Sequence, residues 1–352
     1  MEELTYHNPI IQKDLEEIIA ENYSWEKLKE KSVLITGATG MLATYIVYTL
    51  FYLNEKGNFN IKIVALARNK EKAKKIFSAM LGDKNFEILF QDVNKSIDYK
   101  KNIDYIIHAA GSASAFAIVN DPVGIVKANA LGTFNVMELA QKNNARKVLF
   151  TSTREVYGKT ENISFITEAD FGTIDPLDVR SCYPESKRMA ETILKSYQTQ
   201  FGINFNTIRI AHSYGPCMKL ENDGRIMADL ISNVVCNQDI VLKSKGDAIR
   251  AFCYITDAVK AMLLVLLDGE NGEAYNIANE TEPTTIKNLA ELLLKLFPEK
   301  NLKIEYVIPE TNKGYTNYER IRLDTKKIEQ LGWNPVVSLT EGLIKTVKSF
   351  EK

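Results

Sequence analysis

Tyr183-Pro-Glu-Ser-Lys187 puts a phenol and an amine four residues apart, downstream of an apolar run, KVLFTST, that ends in Thr153. On a helix that spacing brings both side chains to one face. A cation one turn from a phenol lowers its pKa, so the tyrosine can take the proton of a sugar hydroxyl while hydride leaves the same carbon. Thr153 would hold that hydroxyl by hydrogen bond. A Tyr-x-x-x-Lys pair alone is common on helix surfaces, and its meaning depends on the elements that position it.

The first of these is Lys31–Tyr45, KSVLITGATGMLATY. Strand residues Val33 to Thr36 run into a glycine turn and then into an apolar helix, the order a dinucleotide needs to bring its pyrophosphate onto bare N–H groups at a helix N-terminus. Gly37 and Gly40 supply the clearance, with Thr39, Met41 and Leu42 as further contacts, while Ala43 takes the third small position. A second strand, Ile61–Ala67, ends at Arg68 with no acid, where an Asp or Glu would accept from a ribose 2′-OH and an Arg can pair a 2′-phosphate. The cofactor expectation is therefore NAD(P), leaning to NADP. The strand Phe86–Phe90 delivers Asp92 and Val93 toward the adenine. Asp104–Ala110 ends in Ala109, Ala110 and Gly111, which let a nucleotide lie close to the backbone, and Asn129 on a helix at 125–141 completes the cofactor set with Tyr183 and Lys187.

Alternation of strands and helices at this spacing predicts an α/β fold with a doubly wound parallel sheet. At 352 residues a smaller lobe is expected as well. The division read from the sequence is a helical extension at 1–30, a cofactor domain at 31–215 and, with a soft boundary, a C-terminal substrate-binding lobe at 216–352. Net charge is −1 with dispersed Lys and Arg, so no nucleic-acid or membrane partner is expected. The cysteines at 182, 217, 236 and 253 lack metal-ligand spacing and make no disulfide framework. With an acidic N-terminus unlike a signal peptide, this points to the cytoplasm. In the second lobe, Arg225 opens a helix as a candidate diphosphate contact. Arg250 opens a strand RAFCYI, and Thr256 and Asp257 read as caps of the helix that follows. His7 and His108 read as structural.

TGATGMLA, HAAG, Asn129 with GTFN, TSTREVYG, YPESK and RIAHSYGP stand in the order of the extended short-chain dehydrogenase/reductases that modify nucleotide sugars. The chain resembles them from roughly residue 31 to 345, and RSCYPESKRMAET and DAIRAFCYITD resemble the UDP-glucuronate decarboxylases, with 4,6-dehydratases and 4-epimerases as near relatives. The resemblance implies a Rossmann-like sheet, a homodimer, a UDP-sugar substrate, and Thr153, Tyr183 and Lys187 as the hydride-transfer group. It places Glu155 and Arg250 at positions that serve decarboxylation or dehydration, Ser112 among the substrate contacts, and Arg322 or Arg320 near the base and phosphates.

Two departures bear on the reaction. The dehydratases have Thr-Asp-Glu where this chain has Thr153-Arg154-Glu155, and a guanidinium cannot protonate a departing hydroxyl. Arg154 can instead meet a substrate carboxylate or pair with Glu155. His212 stands where relatives place an Asn against the diphosphate. The favoured expectation is a decarboxylase of a nucleoside-diphosphate uronate working through a transient 4-keto sugar. A 4-epimerase or 4,6-dehydratase is the alternative, and an NADP-dependent small-carbonyl reductase or a non-enzymatic dinucleotide sensor is a reading of another class. Replacing Arg68 by Ala is expected to weaken NADP more than NAD in titration calorimetry, because only NADP loses a charge-assisted pair; equal weakening would make Arg68 a plain surface charge.

Overall fold

The computed structural model describes residues 3–161, 163–221, 223–307 and 322–351. Seven strands form the central sheet: β1 Ser32–Thr36, β2 Lys62–Ala67, β3 Phe86–Phe90, β4 Tyr105–His108, β5 Lys147–Thr153, β6 Phe205–Ile210 and β7 Glu273–Ile277. Their order across the sheet is β7-β6-β5-β4-β1-β2-β3 and every pairing is parallel. Parallel strands are covered on both faces, which is why these segments read as unbroken apolar runs. Successive residues feed opposite cores: Val33, Ile35, Ile63 and Ile107 enter one, while Leu34, Val64, Ile106 and Val148 enter the other. Helices Pro9–Ile19, Met41–Gly57 and Ile255–Asp268 pack the first face, and Gly132–Asn143 and Cys182–Phe201 the second.

The chain runs outward from β1 to β3 and then returns to β4 on the other side of β1. This reversal leaves a crevice at the carboxyl ends of β1 and β4, where open α/β sheets receive ligands. Thr36 pairs in register with His108, and its Oγ1 lies 2.8 Å from His108 Nδ1 while accepting from the Ala110 N–H at 3.2 Å. His108 also reaches Thr133 at 3.1 Å, and burial holds its pKa down at about 3, with the Lys187 charge adding to the effect. It is a neutral strut, as the sequence suggested.

The N-terminal extension is one helix, Pro9–Ile19, capped by Asn8, and a single 3-10 turn at Trp25–Leu28. It packs on helices Met41–Gly57, Ile255–Asp268 and Leu339–Phe350.

Three local expectations are corrected. The helix expected at 125–141 begins at Pro122, passes through a π-helical segment at Lys127–Leu131 and continues to Asn143. The run RAFCYI is two short strands in different pairs: Ile249–Arg250 joins Thr284–Thr285, and Cys253–Tyr254 joins Ser213–Tyr214. Thr256 and Asp257 are not caps, since Tyr254 occupies that position; Asp257 instead accepts the Val336 and Val337 N–H groups at 3.1 Å each, tying down the loop before the last helix.

Gly37 has φ +64°, and a Cβ there would lie 2.8 Å from Ala109 O and from Ala110 N. Gly202 has a similar φ of +71° but nothing within 4 Å of a would-be Cβ. Gly37→Ala is expected to cost roughly 1–3 kcal/mol more than Gly202→Ala in urea unfolding, because backbone collision adds to the left-handed strain both share. Equal costs would show that β1 and β4 can separate freely at this point.

Candidate active site

The glycine turn ends at Gly40, which precedes helix Met41–Gly57 and gives its first N–H groups no side-chain cap. Those donors face outward for an anion. At the end of β4, Gly111 has φ +143°, and a Cβ there would meet Asn129 Oδ1 at 2.5 Å and Lys187 Nζ at 3.4 Å. Asn129 donates through Nδ2 to Ser186 Oγ at 2.9 Å, whereas its buried Oδ1 has no hydrogen-bond partner among the described residues. Bare backbone at Gly37 and Gly111 and an orphaned amide oxygen beneath the second glycine fit a dinucleotide lying across the crevice. Arg68 is exposed directly after β2, and Asn69 caps the next short helix. Val93 is buried against Gly132 and its carbonyl accepts from Asn135 Nδ2 at 2.7 Å, while Asp92 Oδ1 accepts the Asn94 N–H. Asp92 thus shapes the turn that follows β3.

Tyr183 and Lys187 lie on helix Cys182–Phe201, and both are buried. Thr153 at the end of β5 hydrogen-bonds the Tyr183 phenol and accepts the Glu155 N–H at 3.3 Å. The expected lowering of the phenol pKa is absent. Burial pushes Tyr183 above its ordinary value, the Glu155 charge adds to this, and the Thr153 bond and the charges of Arg225 and Arg180 oppose it. Lys187 instead donates to Thr151 O at 2.7 Å and sits 4.6 Å above the Phe150 ring. Burial lowers its pKa to about 7, and Glu191 one turn further on partly restores it.

Glu155 follows Thr153 on a 3-10 turn and is held by both arms of Arg180, at 2.7 and 3.2 Å. Sequence reasoning missed Arg180. It stands three residues before Tyr183, on a 3-10 turn at Val179–Ser181 that leads into the catalytic helix, and its position within RSCY was the available clue. Arg154 and Arg250 are half-buried and close enough that the Arg154 charge lowers Arg250's pKa, after burial, while Glu155 supports both. Arg250 also donates to Ile249 O at 2.8 Å.

The remaining substrate-side expectations fall as follows. Arg225 turns its fork onto buried Asp223, at 2.5 and 3.0 Å. Ser112 is exposed, and its Oγ accepts the Ser114 N–H. His212 is exposed with φ +32°, its ring 5.8 Å from that of Phe252. Arg322 is exposed on a strand paired with Phe165–Ile166, its guanidinium 5.9 Å from the Phe165 ring, and Arg320 lies outside the described residues.

Behind the site, Glu191 binds Arg209 at 2.7 and 3.2 Å and accepts Ser152 Oγ at 2.5 Å, while Arg209 donates to Tyr157 Oη at 3.0 Å. This buried network locks the catalytic helix to β5 and β6, and deleting one partner of such a pair costs about 3–5 kcal/mol. A cleft of about 500 Å³ at the opposite end of the strands is cationic only in appearance. Its Lys27 and Lys147 donate to Leu267 O and Gly269 O at the end of helix Ile255–Asp268.

Tyr183→Phe is expected to keep cofactor and substrate binding and to slow turnover by roughly 10²–10⁴-fold, the usual share of a positioned proton carrier. A near-normal rate would remove Tyr183 from the chemistry.

A family model described as NAD dependent epimerase/dehydratase family matches residues 33–278. UDP-glucuronic acid decarboxylase 6 of Arabidopsis thaliana is 34% identical over 312 residues, covering 88% of this chain and 86% of that protein. UDP-glucuronic acid decarboxylase 1 of Xenopus tropicalis is 31% identical over 327 residues, covering 92% of this chain and 72% of the other. Among solved structures, UDP-glucose 4-epimerase from Thermotoga maritima superposes with a TM-score of 0.76 at 23% identity, covering 91% of this chain and 98% of its own. A dTDP-glucose 4,6-dehydratase from Streptomyces venezuelae with NAD bound gives 0.76 at 22% identity, covering 91% and 96%. These structures share the fold, while the matched model and the relatives above 30% identity decide membership: the chain belongs to the NAD dependent epimerase/dehydratase family.

Proposed function

We propose that this enzyme decarboxylates a nucleoside-diphosphate uronate, with UDP as the favoured nucleotide. The carrying observation is a group of four arginines on the Tyr183 side of the crevice: the charges of Arg225 and Arg180 reach the Tyr183 phenol, and Arg154 and Arg250 stand near Glu155, which Arg180 holds. Cations gathered there suit a sugar bearing its own carboxylate. A nicotinamide cofactor, when held in the crevice, would supply a reversible hydride acceptor. Tyr183 would take the C4 hydroxyl proton, with Thr153 holding the oxygen, as C4 is oxidised to a ketone. The C5–carboxylate bond would then break, its electron pair moving toward the ketone as carbon dioxide leaves. A proton from solvent would go to C5, and Tyr183 would give its proton back to the C4 oxygen as C4 is reduced again. Glu155, fixed by Arg180, and Arg250 act on the C5 side. Arg154 offers no proton for a departing C6 hydroxyl, which weighs against dehydration.

Arg68 supports NADP over NAD. The two-lobe division near 30 and 215 remains part of this reading, as does a cytoplasmic setting. A homodimer is supported by Val119, Val123, Leu131, Phe134 and Met189, large apolar side chains exposed on neighbouring helices.

Incubating the protein with a panel of nucleotide sugars and weighing the products tests the reading. We expect loss of carbon dioxide from a uronate, with Arg250→Ala slowing it by about 10²-fold and Arg154→Ala by less than about tenfold. Loss of water from a 6-hydroxy sugar at a comparable rate would replace this reading with a dehydratase, and conversion at unchanged mass with an epimerase.

A further inference from the structure

The helix Pro9–Ile19 lies ahead of the stretch 33–278 that the family model matches, yet it carries a fully buried carboxylate. Asp14 Oδ2 accepts two phenols, Tyr45 Oη at 2.9 Å from the first sheet helix and Tyr254 Oη at 2.8 Å from the second lobe. Lys345 Nζ stands 3.3 Å from Oδ1 and also pairs with Glu17 and Glu341. Tyr254 belongs to the short strand Cys253–Tyr254, which runs parallel to Ser213–Tyr214, and the Cys253 N–H donates to His212 O at 3.2 Å. A pair of two-residue strands is marginal without outside support. From Asp14 a continuous file of rings leads to the site: Tyr254 to Tyr214 at 5.7 Å, Tyr214 to Phe252 at 6.2 Å, and Phe252 to His212 at 5.8 Å. At its end His212 holds φ +32°, a conformation that persists in a non-glycine residue only when its surroundings impose it.

We propose that Asp14 is a positioning residue for the substrate site: through the Tyr254 hydroxyl it clamps the two short strands in the register that presents His212. This rests on the reading of His212 as a substrate contact. Tyr45 donates to the same carboxylate oxygen from helix Met41–Gly57, outside the two short strands, so it provides a matched comparison. The acidic extension thereby gains a role beyond packing, since its one buried charge reports to the lobe that faces the sugar.

The test compares Tyr254→Phe with Tyr45→Phe in the full-length protein, by hydrogen exchange of peptides spanning 210–216 and 250–256 without ligand and by steady-state kinetics. In Tyr254→Phe we expect exchange at these peptides to accelerate by about tenfold, the loss of one bond to a buried carboxylate. The KM for the nucleotide sugar should rise severalfold while kcat and cofactor affinity hold. In Tyr45→Phe only the melting temperature should fall. Equal acceleration in both variants, or none in Tyr254→Phe, overturns the clamp and leaves Asp14 as a stability residue. If Tyr254→Phe fails to fold, Asp14→Asn is read by the same exchange measurement with the same two outcomes. Wild-type protein that converts no nucleotide sugar sinks the substrate reading, while the exchange arm still decides the clamp.

Discussion

The close approach of two strand ends governs this molecule. Thr36 at the end of β1 and His108 at the end of β4 are bonded side by side, and the backbone after β4 passes so near Gly37 that no Cβ fits between them. The contact is cheap for the chain because glycine tolerates the left-handed turn, and it leaves a groove floored by bare peptide groups. Everything downstream is measured from that groove. Gly111 repeats the device on the facing edge, and Asn129 and Lys187 meet beneath it.

Charge is distributed in the site with a consistent logic. The proton-handling pair is dry: burial raises the Tyr183 pKa and lowers that of Lys187, so both are biased toward their neutral forms. Such a pair changes protonation readily when a charged partner enters, which suits a group that must accept a proton and return it. The arginines stand one layer out, half-buried at the edge of solvent, where their charges avoid a full desolvation penalty. Glu155 stands two residues after Thr153, and Arg180 fixes its direction with two bonds.

Two clamps keep these layers in place. Glu191 with Arg209 ties the catalytic helix to the sheet from behind, and Asp14 with Tyr45, Tyr254 and Lys345 ties the second lobe to the first from outside. In both, a carboxylate takes donors from elements far apart in sequence, although Asp14 Oδ1 has no hydrogen-bond partner among the described residues and relies on the Lys345 ammonium 3.3 Å away. Buried charges of this kind are costly unless paired, so each clamp accepts little variation in geometry.

The sequence by itself determined the sheet, the cofactor groove and the Thr153, Tyr183 and Lys187 group. These are written in local patterns: apolar runs of strand length, glycines where a turn needs them, and a four-residue spacing on one helix. It also identified His108 as structural, from its place at the end of a buried strand. Local pattern fails where a side chain's partner is distant: nothing near Asp257 reveals that its carboxylate serves residues 336 and 337. Arg180 was in plain view within RSCY, yet its value came only from folding beside Glu155. The break of RAFCYI into two strands, the grip of Asp14 on Tyr254 and the upward shift of Tyr183 were likewise decided by tertiary structure. Burial and ion pairing depend on which surfaces meet, and a one-dimensional pattern carries no record of those meetings.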